Sequence, residues 1–256
     1  MKTNNIQKVL TILEAFLKHE EGEIGLNTLA ELTGLNVSTI HRIASVLVEN
    51  GYLSQPHQRG KYSLGPKFLQ FGALTTKRIK VTEVAFPLLV RLNRVVNEST
   101  NLAILESDEA VYAQRIEPVQ TGHQLQIFTQ VGARVPLYCT GVGKVLLANV
   151  SEEERERYLG NNRFAKRTKN TITDHVKLQR ELSAVRRRGF AIDDEEMELG
   201  VRCIAAPIRD FEGKVVAAVS VSGPSTRLSD ERIQQLEPLL KSCASDISKA
   251  AGYRGE

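Results

Sequence analysis

Ser220 and Ser222 stand two apart in Lys214–Ser222, a stretch that reads as a β-strand, so their hydroxyls share one side. Two hydroxyls on one side of an apolar strand suit a ligand wall; a pair facing solvent is the plain alternative. Gly141-Val142-Gly143-Lys144 follows Leu137–Thr140 and feeds a helix over Lys144–Asn149. A loop entering a helix offers unpaired N–H groups and a partial positive charge, which suits a carboxylate. A tight turn explains the same residues. The loop is not a nucleotide-binding P-loop, because the G-x-x-x-x-G-K-[ST] spacing is absent and Val145 stands where Ser or Thr is needed. Asp193 is placed either to accept from a ligand hydroxyl or to cap a strand end. The run Asp193-Asp194-Glu195-Glu196 invites a metal, but four contiguous carboxylates ahead of Gly200 read more simply as a solvated acidic loop. Cys139, Cys203 and Cys243 lack C-x-x-C spacing, and His123 and His175 have no neighbouring ligand at i+3 or i+4. No structural zinc is expected, while a pocket metal through Cys203 and a carboxylate stays open. Cys203 itself reads as a small buried hydrophobe. A cysteine with His123 or His175 could form a nucleophile and base, yet no acyl- or phosphoryl-transfer signature accompanies them, and no catalytic residue is expected. A thiol redox sensor is a further alternative.

A second group of residues lies near the start of the chain. Apolar residues at Ile6, Val9, Leu10, Leu13, Phe16 and Leu17 predict a helix over about Asn5–Lys18, and Glu20–Gly25 breaks it. Asn27 as N-cap and Gly34 as C-terminal glycine frame a short helix, Thr28–Thr33. Asn36 then caps a longer one over Val37–Glu49, ended by Asn50-Gly51. Its Ile40, Ile43, Ala44 and Leu47 form a core stripe, while Ser38, Thr39, His41, Arg42 and Ser45 lie toward the other side. Two helices joined by a tight turn, the second with a polar and basic outer face, make a helix-turn-helix or an ordinary helical hairpin. In the first case the short side chains reach base edges or phosphates, and Arg42 reaches guanine or phosphate. Gly51–Ser54 and Lys61–Leu64 read as two strands around Pro56-His57-Gln58-Arg59-Gly60. A hairpin directly after such a helix is a wing, with Arg59 and Lys61 at its tip for backbone phosphates, and this order of elements favours duplex DNA.

Composition agrees. The chain has 256 residues, 41% hydrophobic and 25% charged, which excludes a wholly disordered protein. No apolar run approaches the roughly 18–20 residues of a membrane span, and the first residues lead into an amphipathic stretch and not a signal-peptide core. Three widely spaced cysteines fit a reducing compartment, so a cytoplasmic protein with no membrane partner is expected. Of the net charge of +4, residues 81–256 contribute nothing, with 24 basic and 24 acidic side chains. Residues 32–80 hold seven Lys/Arg against one Asp/Glu. A basic front end on a neutral body points to a polyanion, though a solvated face would look the same.

Beyond the hairpin, Gly65-Pro66 opens a greasy helix through Phe68, Leu69, Phe71, Ala73 and Leu74, expected to pack on a partner chain or on the body. Val81–Asn97 is helical by period, with Pro87 a candidate kink. Strands are expected at Leu102–Glu106, Ala110–Ile116, Gln124–Thr129, Phe190–Asp193, Cys203–Arg209 and Lys214–Ser222. Helices are expected after Ser151, after Thr173 or Asp174 up to Arg188, and over Asp230–Ala251. The fold class is α+β, an antiparallel sheet flanked by helices.

Asn27–Leu53, Leu137–Ala148 (LYCTGVGKVLLA), Asp193–Pro207 (DDEEMELGVRCIAAP) and Val219-Ser220-Val221-Ser222-Gly223 together resemble the IclR family of bacterial transcriptional regulators, over essentially the whole chain. The resemblance implies a winged helix-turn-helix over residues 1–65, a linker helix over 66–80 and a GAF-like effector domain over 81–256. It implies dimers or tetramers on palindromic operators beside catabolic operons, repressing or, as the alternative, activating. It implies no cofactor, but a small carboxylate or sugar-acid effector held by Gly141, Val142, Asp193, Cys203, Ser220 and Ser222, with Ile127, Val135 and Val201 lining the apolar part. The effector would act by shifting the DNA-binding domains through the linker. Several stretches, including Ile247–Tyr253, look closer to the branch that represses sugar-acid catabolism.

Overall fold

The structure, a computed structural model, describes residues 5–19, 22–55, 60–78, 80–118, 130–161 and 163–255. The chain divides into two compact units, Met1–Arg78 and Ile79–Glu256.

The first unit runs α1 (Asn5–Leu17), β1 (Glu23–Ile24), α2 (Leu26–Thr33), α3 (Val37–Glu49), β2 (Leu53–Ser54), β3 (Tyr62–Leu64) and α4 (Lys67–Arg78). Gly34 ends α2 in the left-handed conformation, φ 67°, and the chain turns at once into α3. Ile12, Phe16, Ile24, Leu29, Ile40, Leu47, Leu53 and Tyr62 interlock as one core under the three helices. Two expectations are corrected. The helix expected from Thr28 begins at Leu26, because the Leu29 N–H bonds the Gly25 carbonyl; Asn27 is in its first turn and is not its cap. The segment read as a break contains β1, which pairs with β3 (Ile24 opposite Tyr62), so the wing is a three-stranded sheet in the order β1-β3-β2. Ile24 is buried, and two residues are too few to show a strand period.

The second unit contains α5 (Lys80–Val96), β4 (Ser99–Glu106), β5 (Glu109–Ile116), β6 (Arg134–Pro136), α6 (Gly141–Asn149), α7 (Glu152–Asn161), α8 (His175–Arg188), β7 (Ala191–Asp194), β8 (Val201–Arg209), β9 (Val215–Pro224) and α9 (Asp230–Ala250). Its strands form one antiparallel sheet in the order β6-β5-β4-β9-β8-β7. Residues from α5 and α9 bury one face, with Leu102, Ile204, Val219 and Val221 from the strands. Residues from α6, α7 and α8 bury the other, against Ala103, Ala205 and Ala218. Those small strand residues let α6 lie close to the sheet. The expected strand at Gln124–Thr129 lies outside the described residues. Among the described residues no helix is long and apolar enough to cross a membrane.

Candidate functional site

Two surfaces gather the chemistry-bearing residues, one in each unit. In the first, Ser38, His41, Arg42 and Ser45 stand at i, i+3, i+4 and i+7 along α3, opposite the buried Ile40, Ala44 and Leu47. Ser38, His41 and Arg42 are exposed; Thr39 and Ser45 are half-buried, and the Ser45 hydroxyl donates to the His41 carbonyl at 2.9 Å. Asn36 occupies the N-cap position, but its exposed side chain makes no capping bond. Lys61 lies exposed just before β3; Arg59 lies outside the described residues. A groove joins helix to wing, lined by Asn27 and Thr28 of α2, His41 of α3, and Gln55, Gly60 and Lys61. The Gln55 amide donates to the Gly60 carbonyl at 3.0 Å and closes the base of the wing tip. Sequence reasoning assigned Asn27 only a capping role and did not single out Thr28 or Gln55; for the first two the early start of α2 is the reason.

In the second unit, Thr140 caps α6, its hydroxyl accepting from the Gly143 N–H at 3.1 Å. The helix therefore starts at Gly141, ahead of the expected Lys144, and Gly141 and Val142 carry its first N–H groups. A side chain at Gly141 would meet the Cys203 sulfur at 3.0 Å and Ala205 at 3.3 Å; one at Gly143 would run into the Pro136 carbonyl at 2.6 Å. Glycine at 141 thus seats the helix start directly on β8, while glycine at 143 leaves room for the chain leading out of β6. Beneath it the sheet is polar. Asp193, Cys203 and Ser222 are consecutive partners across β7, β8 and β9 and so share one face. Ala205, Ser220, Asn101 and Arg115 form the next row, across β8, β9, β4 and β5. Asp193, Cys203 and Ser220 are buried and Ser222 is half-buried, so Ser220 is not the solvent-facing hydroxyl of the plain alternative. Val201 alternates with Cys203 and shares its face. Val135 is buried on β6, separated from Ser220 by β5 and β4, and Ile127 lies outside the described residues.

Burial dominates the chemistry of this floor. It pushes the Asp193 carboxyl up to about 7, against the opposing bond from the Glu196 N–H. It pushes the Cys203 and Cys139 thiols up to about 12. Both stay protonated near neutral pH, which deprives a nucleophile or redox sensor of its thiolate.

The family models agree with both units. That of the IclR helix-turn-helix domain matches residues 5–57. That of the bacterial transcriptional regulator IclR C-terminal domain matches residues 73–249. The chain belongs to the IclR family. The HTH-type transcriptional regulator KdgR of Escherichia coli is 34% identical over 250 residues, covering 98% of this chain and 93% of that protein. The DNA-binding transcriptional repressor YiaJ of Escherichia coli is 33% identical, covering 95% and 86%. A crystal structure of an IclR homolog from Microbacterium hydrocarbonoxydans complexed with 4-hydroxybenzoate superposes with a TM-score of 0.81 at 26% identity, covering 96% and 98%. This IclR chain is a DNA-binding transcriptional regulator built from a helix-turn-helix and an α/β effector-type domain, and KdgR and YiaJ are likewise transcriptional regulators.

In this IclR chain the acidic run is not a solvated loop, which corrects the sequence reading. The Asp193 carboxylate accepts from the Glu196 and Met197 N–H groups at 2.8 and 3.3 Å. Asp194 pairs with Arg202 at 2.7 Å, and Glu195 accepts from the Gly200 N–H at 2.6 Å. Glu196 is buried in an ion pair with the fully buried Lys144. Thr168 and Thr171 donate to the Glu195 and Glu196 carbonyls at 2.6 and 2.7 Å, clamping the turn from outside. Among the described residues no group of three His, Cys, Asp or Glu gathers to hold a metal. Sequence reasoning missed Lys144 as a buried charge, and missed Asn101 and Arg115 on the floor. The expected strand began at Leu102, one residue too late to place Asn101 on it.

Proposed function

We propose that this protein represses a catabolic operon by binding a palindromic operator as a dimer or tetramer, and that a small carboxylate or sugar acid bound in the second unit changes its operator affinity. The carrying observation is the start of α6 standing on the Asp193–Cys203–Ser222 row: helix N–H groups above a buried polar floor form a cradle for a carboxylate. The effector carboxylate takes the Gly141 and Val142 N–H groups; a protonated Asp193 donates to it or to a neighbouring oxygen. Ser220 and Ser222 contact its polar flank, and Val135, Val201 and Ile127 line its apolar side. The relative complexed with 4-hydroxybenzoate supports a small acid as the ligand class, and the relative named as a repressor supports the sign of regulation.

On the DNA side, Asn36, Ser38, Thr39, His41, Arg42 and Ser45 face the major groove, and Arg59 and Lys61 of the wing meet phosphates. We divide the chain into a DNA-binding domain (1–65), a linker helix (66–80) and an effector domain (81–256), acting in the cytoplasm without cofactor. Exposed apolar side chains support self-association: Leu10 and Leu17 on α1, and Leu69, Phe71 and Leu74 on α4. A gel-shift titration of the full chain on its upstream intergenic DNA, with a panel of sugar acids and simple carboxylates, tests the proposal. Release of the DNA by at least one acid is expected; retention with every acid overturns the ligand switch.

A further inference from the structure

Asn101 is fully buried on β4, between β5 and β9. Its side-chain N–H groups are both used: Nδ2 donates to the Ser220 hydroxyl at 3.2 Å and to the Ser222 hydroxyl at 3.1 Å. Its carboxamide oxygen, equally buried, has no hydrogen-bond partner among the described residues. A buried acceptor without a donor is costly, and native proteins rarely leave one unmet. The residue lies on the sheet face of Ser220 and Cys203, the face on which the start of α6 sits. The chemistry needed there is a donor. A carboxylate has none and is repelled by a carbonyl oxygen, whereas a hydroxyl supplies one.

We infer that Asn101 is a specificity-determining residue whose carboxamide oxygen accepts a hydrogen bond from an effector hydroxyl, so that the protein selects hydroxylated acids over acids without that hydroxyl. The inference rests on the effector site proposed above and adds a residue and a ligand class to it. With Nδ2 committed to the Ser220 and Ser222 oxygens, the carboxamide oxygen is the group left for the ligand. The effector is thereby oriented. Its carboxylate goes to the helix start, away from a like-polarity oxygen, and its hydroxyl goes to β4. An acid without the hydroxyl leaves the Asn101 oxygen buried and unmet.

Calorimetry on the full chain with matched acids tests this: glycerate against propionate, gluconate against hexanoate, and 4-hydroxybenzoate against benzoate. In the pairs that bind, the hydroxylated member is expected to bind about tenfold or more tightly. Asn101→Leu, similar in size without polar atoms, is expected to abolish that preference, read as the ratio of the two affinities within each pair. Asn101→Ala serves if the leucine variant does not fold, as judged by melting and operator binding. Preference retained in the variant, equal binding of both members by the wild type, preference for the plain acid, or equal loss of both acids would each overturn the inference. If the wild type binds none of the six acids, the effector reading itself is overturned and this inference falls with it.

Discussion

Lys144 and Glu196 meet where neither reaches water, one at the start of α6 and the other in the turn after β7. Burial holds the Glu196 carboxyl above the usual carboxylate range even with the ammonium beside it. Removing one partner strands the other charge, which typically costs about 3–5 kcal/mol. Lys144→Met is therefore expected to lower unfolding free energy by that order in denaturant titration, and Glu196→Gln by less, since the amide still meets Lys144. A loss under 1 kcal/mol for Lys144→Met would remove this pair from the architecture of the site. Asp193 gives a second residue-scale prediction. Its folded carboxyl titrates near 7, above its ordinary range, so the native state keeps a proton that the unfolded chain releases. Between the ordinary range and about pH 7, stability falls as pH rises, and above that the difference is constant. If the protonated carboxyl assists a carboxylate effector, affinity falls from pH 6 to pH 8. Asp193→Asn, which keeps the acceptor for the Glu196 N–H, is expected to flatten both dependences.

At the scale of elements, α3 and the wing divide the work on DNA. Arg42→Ala is expected to cost about 1–3 kcal/mol on the cognate operator and less on random duplex if Arg42 reads a base. Equal losses on both assign it to phosphate. Lys61→Ala is expected to reduce the salt slope of binding by about one, with base preference unchanged. These elements were legible in the sequence because α3 carries its buried and exposed stripes at strict helical spacing, with Ile40, Ala44 and Leu47 against Ser38, His41 and Arg42. Short or unpatterned elements were not. Ile24 is held in β1 by pairing with Tyr62, a contact 38 positions away that no local period encodes. Residues such as Ser220, Cys203 and Asp193 could be named from their motifs, yet their meeting on one face depends on strand order and register. Asn101 enters that face only through its pairing with Ser220, 119 positions later. The acidic run misled for a related reason: local sequence shows four charges, and only the fold brings Lys144, Arg202 and three backbone amides to receive them.

Across the molecule, charge and burial are partitioned. The first unit holds the basic segment and the exposed face of α3, while the second buries a polar floor under a helix start. A regulator needs more than these two surfaces: the acid must prefer one state of the protein and DNA the other. Such coupling is reciprocal, because the factor by which the acid weakens operator binding equals the factor by which operator weakens acid binding. The most direct measurement is that pair of factors on the full chain at fixed salt and pH, with operator affinity measured by fluorescence anisotropy and acid affinity by calorimetry. Two equal factors are the expected result, each well above one, and neither seen with a random duplex. An acid that binds the protein while leaving operator affinity unchanged would contradict it.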